Sequence, residues 1–194
     1  MIKIVTAPNP ALSFIAKPVP IKSEPVSGVN VSVVRLIDQM KKALIATTDP
    51  KGVGLAAPQV GKSLRIFIAK PTDKSKILVF VNPKIIGQST VRSYINRPKK
   101  DESEKASKKL EGCLSLPNIW GPVLRSSSLI LSYLDEKGIG HKQKFSGFMA
   151  TVIQHEMDHL SGVLFPKRVL EQQGTLYKSH KNKQGEDEFE EIEI

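Results

Sequence analysis

Apolar residues first recur with a clear period at Val29, Val33, Ile37, Met40 and Leu44, in steps of 4, 4, 3 and 4. That spacing lays one apolar stripe along a helix, and Asp49-Pro50 with Gly52 ends it. The next stretch, GVGLAAPQVG (52–61), is small and glycine-punctuated and reads as a close-packed strand or loop. LRIFIA (64–69) and KILVFVN (76–82) are short β-branched and aromatic runs, the signature of strands. CLSLP (113–117), LILSYLD (129–135) and HKQKF (141–145) extend the series. The helical period returns from Phe148 to Leu160, and Gly162 follows as a stop.

Three stretches show neither period. Residues 1–28 carry Pro8, Pro10, Pro18, Pro20 and Pro25 and read as extended segments and turns wrapped on a body. Residues 93–109 are charged and poor in apolar side chains, an exposed loop. Residues 167–194 close in EDEFEEIEI and read as an acidic, frayed end after a short helix around 166–177. A helix, several strands, then a helix laid against them make the fold class α+β.

The length of 194 residues suffices for one domain with its own core. No apolar run is long enough to span a bilayer. The opening MIKIVTAPNPAL has neither a secretory pattern nor an Arg- and Ser-rich transit pattern. We therefore expect a cytoplasmic protein with no membrane contact. The single cysteine, Cys113, excludes an intramolecular disulfide and leaves three roles open: a buried inert thiol, a nucleophile or a metal ligand. The net charge of +10 favours anionic neighbours. The basic residues are scattered, however, with few aromatics among them and no nucleic-acid motif, so no sequence-specific nucleic-acid binding is expected.

The sharpest chemical signal is His155-Glu156-Met157-Asp158-His159, an H-E-x-x-H pattern. Residues four apart stand on one face of a helix, so the two imidazoles can hold one metal ion and the glutamate can reach its water. With 4 histidines in the chain, chance supplies about 0.005 such matches, which favours a metal site over two ordinary histidines. A catalytic site needs a third protein ligand. Downstream stand Glu171 and His180, in no familiar pattern; upstream stands Cys113, whose sulfur suits a borderline or soft cation. Two other classes share these residues: an endopeptidase built on the same helix, and a non-catalytic RNA-binding module with a structural metal. The first leaves Cys113 unused, and the second needs four protein ligands.

GVGLAAPQ, EGCLSLP (111–117) and QHEMDHL (154–160) resemble, in order and type, the three signature motifs of the peptide deformylases. The LFP at 164–166 agrees as well. The resemblance covers roughly residues 1–170, a catalytic domain, and leaves 171–194 as a tail that is partly helical or disordered. It implies mixed sheets packed around a central helix that carries the H-E-x-x-H motif. It further implies Cys113, His155 and His159 as metal ligands and Glu156 as general acid/base. The Gln59 amide and Leu114 backbone N–H become oxyanion donors, with the Gly54 backbone close to the substrate. Arg125, downstream of EGCLSLP, is a candidate to hold the peptide, with an ordinary surface arginine as the alternative. The implied ion is Fe²⁺, replaceable by Zn²⁺, Ni²⁺ or Co²⁺, and the implied substrates are nascent N-formylmethionyl peptides. Lys51 stands where the family is often acidic, and the 93–109 stretch looks like an insertion. Asp158 is a candidate partner for a ligand. Work on nascent chains and a basic surface together suggest a weak, salt-sensitive ribosome contact through Lys167, Arg168, Lys178, Lys181 and Lys183.

Overall fold

The computed structural model describes residues 2–21, 30–97 and 109–193. Helix α1 (Val31–Ile45) starts at Asn30, whose side-chain oxygen accepts from the Ser32 N–H at 3.1 Å. That bond satisfies a donor the first helical turn would otherwise leave open. The expected stripe is buried at Val33, Ile37, Met40 and Leu44, with Leu36 and Ala43 beside it. Val29 and Pro25 lie outside the described residues.

Among the described residues nine strands follow: β1 (Gly54–Ala56), β2 (Ile66–Ala69), β3 (Leu78–Gln88), β4 (Arg92–Ser93), β5 (Glu111–Cys113), β6 (Leu116–Gly121), β7 (Arg125–Ser126), β8 (Ser128–Leu134) and β9 (Gly140–Ser146). Helices α2 (Gly147–Leu160) and α3 (Phe165–Glu171) come next, then β10 (Tyr177–Lys181) and β11 (Asp187–Glu191). One antiparallel sheet runs β1-β2-β3-β8-β9, a second runs β11-β10-β6-β5, and β4 pairs with β7.

The larger sheet is covered on both faces. Along β2, Ile66 and Ile68 join the cluster under α1, while Phe67 and Ala69 join the cluster under α2. Period-2 alternation sends neighbours to opposite faces, so a strand buried on both sides reads as one continuous apolar run. Helix α2 packs on β1, β2, β8 and β9 and buries four consecutive residues, Ala150 to Ile153. A third cluster of Cys113, Val123, Phe165, Val169 and Leu176 lies under the second sheet.

Five sequence expectations need correction. KILVFVN was read as a strand ending at Asn82, just before Pro83, which has no N–H to give a ladder. Strand β3 instead runs to Gln88, with register shifts between Val81 and Lys84 and between Ile85 and Gly87. Such bulges are where a strand tolerates proline. CLSLP is two strands, not one: β5 ends at Cys113 and β6 starts at Leu116, with a turn at Leu114 and Ser115. In the 93–109 stretch, Ser93 pairs with Arg125 and Ile95 is buried, while residues 98–108 lie outside the described residues.

The acidic end is a hairpin rather than a frayed segment. Basic β10 faces acidic β11, with Lys178 opposite Glu190, His180 opposite Glu188 and Lys181 opposite Asp187. Opposite charges directly across a ladder support pairing. The short helix expected over 166–177 ends at Glu171.

Candidate active site

Strand β5 and helix α2 supply most of the site. Residues two apart on a strand share a face, so Glu111 and Cys113 both point into the protein, while Gly112 lies between them. On α2, His155 and His159 stand one turn apart, with ring centroids 5.0 Å from each other. One ligand atom from each of Cys113, His155 and His159 lies within 4.8 Å of the others, a spacing that one ion can fill. Cys113 Sγ is 3.2 Å from His159 Nε2 and accepts from the Ser115 N–H at 3.4 Å.

Gln59 enters from a 3-10 turn, Ala57–Val60, that follows β1. Its Oε1 accepts from the Ala56 N–H at 2.8 Å, which turns the amide nitrogen toward Ser115 Oγ (3.2 Å) and Cys113 Sγ (3.5 Å). Glu156 is buried at 3 % exposure against Gly54, where an added Cβ would fall 2.2 Å from its Oε1. Any side chain at position 54 would displace that carboxylate. Gly54, Gln59, Cys113, Leu114, His155 and Glu156 line one cleft of about 300 Å³.

A buried ionic ladder runs behind the histidines. Glu111 Oε2 lies 3.1 Å from His155 Nδ1 and accepts from Arg125 Nη2 at 2.9 Å, and Arg125 Nε donates to Glu111 Oε1 at 2.6 Å. Arg125 Nη1 donates to Asp158 (2.9 Å), which also accepts from Arg168 Nη2 (2.7 Å). Burial alone would raise the Glu111 carboxyl; Arg125 and His155 outweigh it and hold it at about 2. Burial pushes Glu156 up to about 7 against the pull of the His155 and Arg125 charges. Burial also lowers His155, but its neighbours Cys113 and Glu111 leave it well above the ordinary imidazole range. His159 is driven well below that range by burial first and the His155 charge second.

The donor set suits a divalent cation. It combines one sulfur with two imidazoles, the ligand types that zinc and neighbouring transition metals take. His155 Nδ1 is held by a carboxylate, the usual arrangement behind a ligating histidine. The Glu111 carboxylate and the Cys113 sulfur beside His155 favour positive charge at this point, as a bound cation would supply. Among the described residues no fourth His, Cys, Asp or Glu joins the group.

The family model for polypeptide deformylase matches residues 1–174. The chain belongs to the polypeptide deformylase family. A peptide deformylase of Pseudothermotoga lettingae is 40% identical over 144 residues, covering 74% of this chain and 72% of the relative. One from Chlorobium limicola is 38% identical over 150 residues, covering 75% and 71%. Among solved structures, the peptide deformylase of Thermotoga maritima superposes with a TM-score of 0.69 at 29% identity, covering 87% of this chain and 97% of that one. A probable peptide deformylase from synechococcus phage S-SSM7 gives 0.70 at 32% identity, covering 87% and 99%. Deformylases are hydrolases, and the family is metal-dependent.

Of the residues expected at the deformylase site, Gly54, Gln59, Cys113, Leu114, His155 and Glu156 line this cleft, and His159 stands beside Cys113. The exception is Arg125, expected at the substrate. It is 6% exposed, with its guanidinium held by Glu111 and Asp158. Asp158 likewise contacts Arg125 and Arg168 rather than a histidine. Glu111 carries the supporting role instead, and the sequence signal for it was present as the first residue of EGCLSLP. Phe165, from the LFP segment, stacks on the His155 ring at 6.1 Å. Lys51 lines the cleft and pairs with Asp73 at 2.5 Å.

This arrangement predicts the effect of Arg125→Met. Removing one partner of a buried ion pair leaves the others uncompensated, at a cost of about 3–5 kcal/mol. Thermal unfolding should show that loss together with weaker metal retention. A stable variant with only a raised KM would return Arg125 to the substrate.

Proposed function

We propose that the chain removes the formyl group from the N-terminal formyl-methionine of nascent polypeptides, releasing formate. The observation that carries this reading is the convergence of Cys113, His155 and His159 within 4.8 Å, with Glu156 and Gln59 in the same cleft. We assign the three as ligands of one divalent ion, Fe²⁺ by family resemblance, with Zn²⁺, Ni²⁺ or Co²⁺ as substitutes. Three protein ligands suit a catalytic site, whereas structural sites close with four. When bound, such an ion supplies Lewis acidity, lowering the pKa of water and polarising a carbonyl.

In this reading Glu156 takes the proton of the attacking water and returns it to the departing amine. Its Oε2 has no hydrogen-bond partner among the described residues, which leaves that oxygen available for the task. The water oxygen bonds to the formyl carbon as the carbon–nitrogen bond breaks. Gln59 Nε2 and the Leu114 N–H donate to the carbonyl oxygen as charge develops there. The Gly54 backbone bounds the substrate beside Glu156. Helix α2 is the central element about which the sheets are arranged. Residues 1–170 are the catalytic unit, and the terminal hairpin is an addition to it.

Two substitutions test the assignment. Cys113→Ser should lose most bound metal, read by metal content after gel filtration, because a hydroxyl is a far poorer ligand for such ions. A full metal complement would remove Cys113 from the ligand set. Glu156→Gln should keep its metal while hydrolysis of formyl-Met-Ala falls by about 10²–10⁴-fold, the usual contribution of a general acid/base. Undiminished turnover would take Glu156 out of the mechanism.

Nascent chains place the work in the cytoplasm, beside ribosomal phosphate. No helix among the described residues is long and apolar enough to cross a membrane. We propose a weak ribosome contact. Of its five expected residues, Arg168 and Lys181 are already paired with carboxylates, while Lys167, Lys178 and Lys183 are exposed. Phosphate contacts release counterions, so binding should fall steeply with salt. Co-sedimentation at low salt should weaken when these three lysines become glutamine. Equal pelleting of both forms would exclude them.

A further inference from the structure

The family match ends at residue 174, and the β10–β11 hairpin lies beyond it. The hairpin is nonetheless built into the cleft. Strand β10 pairs with β6, setting Tyr177 opposite Trp120. The Trp120 Nε1–H donates to Ser179 Oγ at 2.8 Å, which fixes the indole ring. On its other side the ring crosses Gly112, where an added Cβ would meet it at 2.6 Å. Gly112 adjoins Cys113, so the indole extends directly outward from the reacting end of the cleft.

Phe189, on β11, meets Trp120 edge to face with centroids 5.9 Å apart. It lines the same cleft as Cys113, His155 and Glu156. Lys181 Nζ lies 2.8 Å from Asp187 and 3.8 Å from Asp49, which precedes the cleft-lining residues Pro50, Lys51 and Gly52. The hairpin thus contributes Phe189 to the cleft and is tied by Lys181 to Asp49, next in sequence to the cleft residue Pro50.

We propose that this hairpin is a specificity element. Phe189, seated on Trp120, forms an aromatic wall for an apolar side chain of the peptide downstream of the formylated methionine. The proposal rests on the deformylase reading. Two rigid aromatic rings present apolar surface at small entropic cost. An apolar group lost from such a contact weakens discrimination by about tenfold or more.

Two peptide series test it, formyl-Met-X-Ala and formyl-Met-Ala-X, with X as Leu, Phe, Ser or Lys, on the metal-loaded protein. Phe189→Ala should raise KM about tenfold for Leu and Phe in one series, with kcat unchanged, because the contact binds ground and transition states alike. The Ser and Lys peptides should hardly change, and Phe189→Leu should restore most of the loss. A uniform drop across all peptides, or no change in either series, overturns the proposal. Trp120 is the chain's one tryptophan, so its fluorescence reports peptide binding without turnover. Binding that favours Leu and Phe in the unsubstituted protein and loses that order in Phe189→Ala supports the wall even if no formate is released. Absence of formate alone would count against the deformylase reading.

Discussion

Glu111 is 2% exposed, and a carboxylate taken out of water must be met by opposite charge or give up its ionised form. Arg125 meets it from β7 with two hydrogen bonds, and His155 meets it from α2. The remaining arm of Arg125 reaches Asp158, three residues beyond His155 on the same helix. Residues three apart share a helix face, so both contacts fix the same rotation of α2 against β5. A shift of one residue would carry His155 and Asp158 away from their partners together. Networks of this kind contribute little net stability compared with apolar packing. We take the use of this one to be registry, and the cleft inherits its geometry from it.

That registry lets two different periods meet. Strand β5 repeats every two residues and α2 every 3.6. Glu111 and Cys113 therefore face α2 as a pair, while His155 and His159 face β5 as a pair. His155 is held by the first member of the strand pair, and the second member's sulfur lies beside His159. Gln59 adds a third approach, its orientation set by the bond from the Ala56 N–H rather than by packing. Three short segments distant in sequence are thus positioned by hydrogen bonds within a few ångströms of one another.

The parts of this site legible in the sequence were those whose spacing is itself a geometry. His155 and His159 are four apart in a segment with helical period, so their convergence follows from the helix alone. Resemblance supplied Gln59 and Leu114, which no local pattern would have singled out. Glu111 was not singled out and Arg125 was placed at the substrate, because their roles depend on a tertiary partner. An arginine near a motif is indistinguishable, in one dimension, from one that grips substrate. The fold shows the same division. Helices α1 and α2 and strands β2, β8 and β9 followed their periods. Strand β3 was cut short because Pro83 sits at a bulge that only strand pairing reveals. The terminal hairpin was missed because β10 and β11 carry opposite charges that balance only when paired. Read singly, an acidic run looks solvated.

Glu156 shows how the same surroundings act on one proton from two directions. Close packing against Gly54 removes water from the carboxyl, and burial moves its pKa up to about 7. A divalent cation among Cys113, His155 and His159 would pull it down again, since an ion is the largest local charge in such a site. Without burial, the cation would leave Glu156 too weak a base to accept a proton. Without the cation, burial would leave it about half protonated near neutral pH. In the proposed mechanism Glu156 both takes and returns a proton near neutral pH, and these two opposed influences suit it to that task. In that mechanism the packing of Gly54 against the buried glutamate bears on the chemistry as directly as the proposed ligand set.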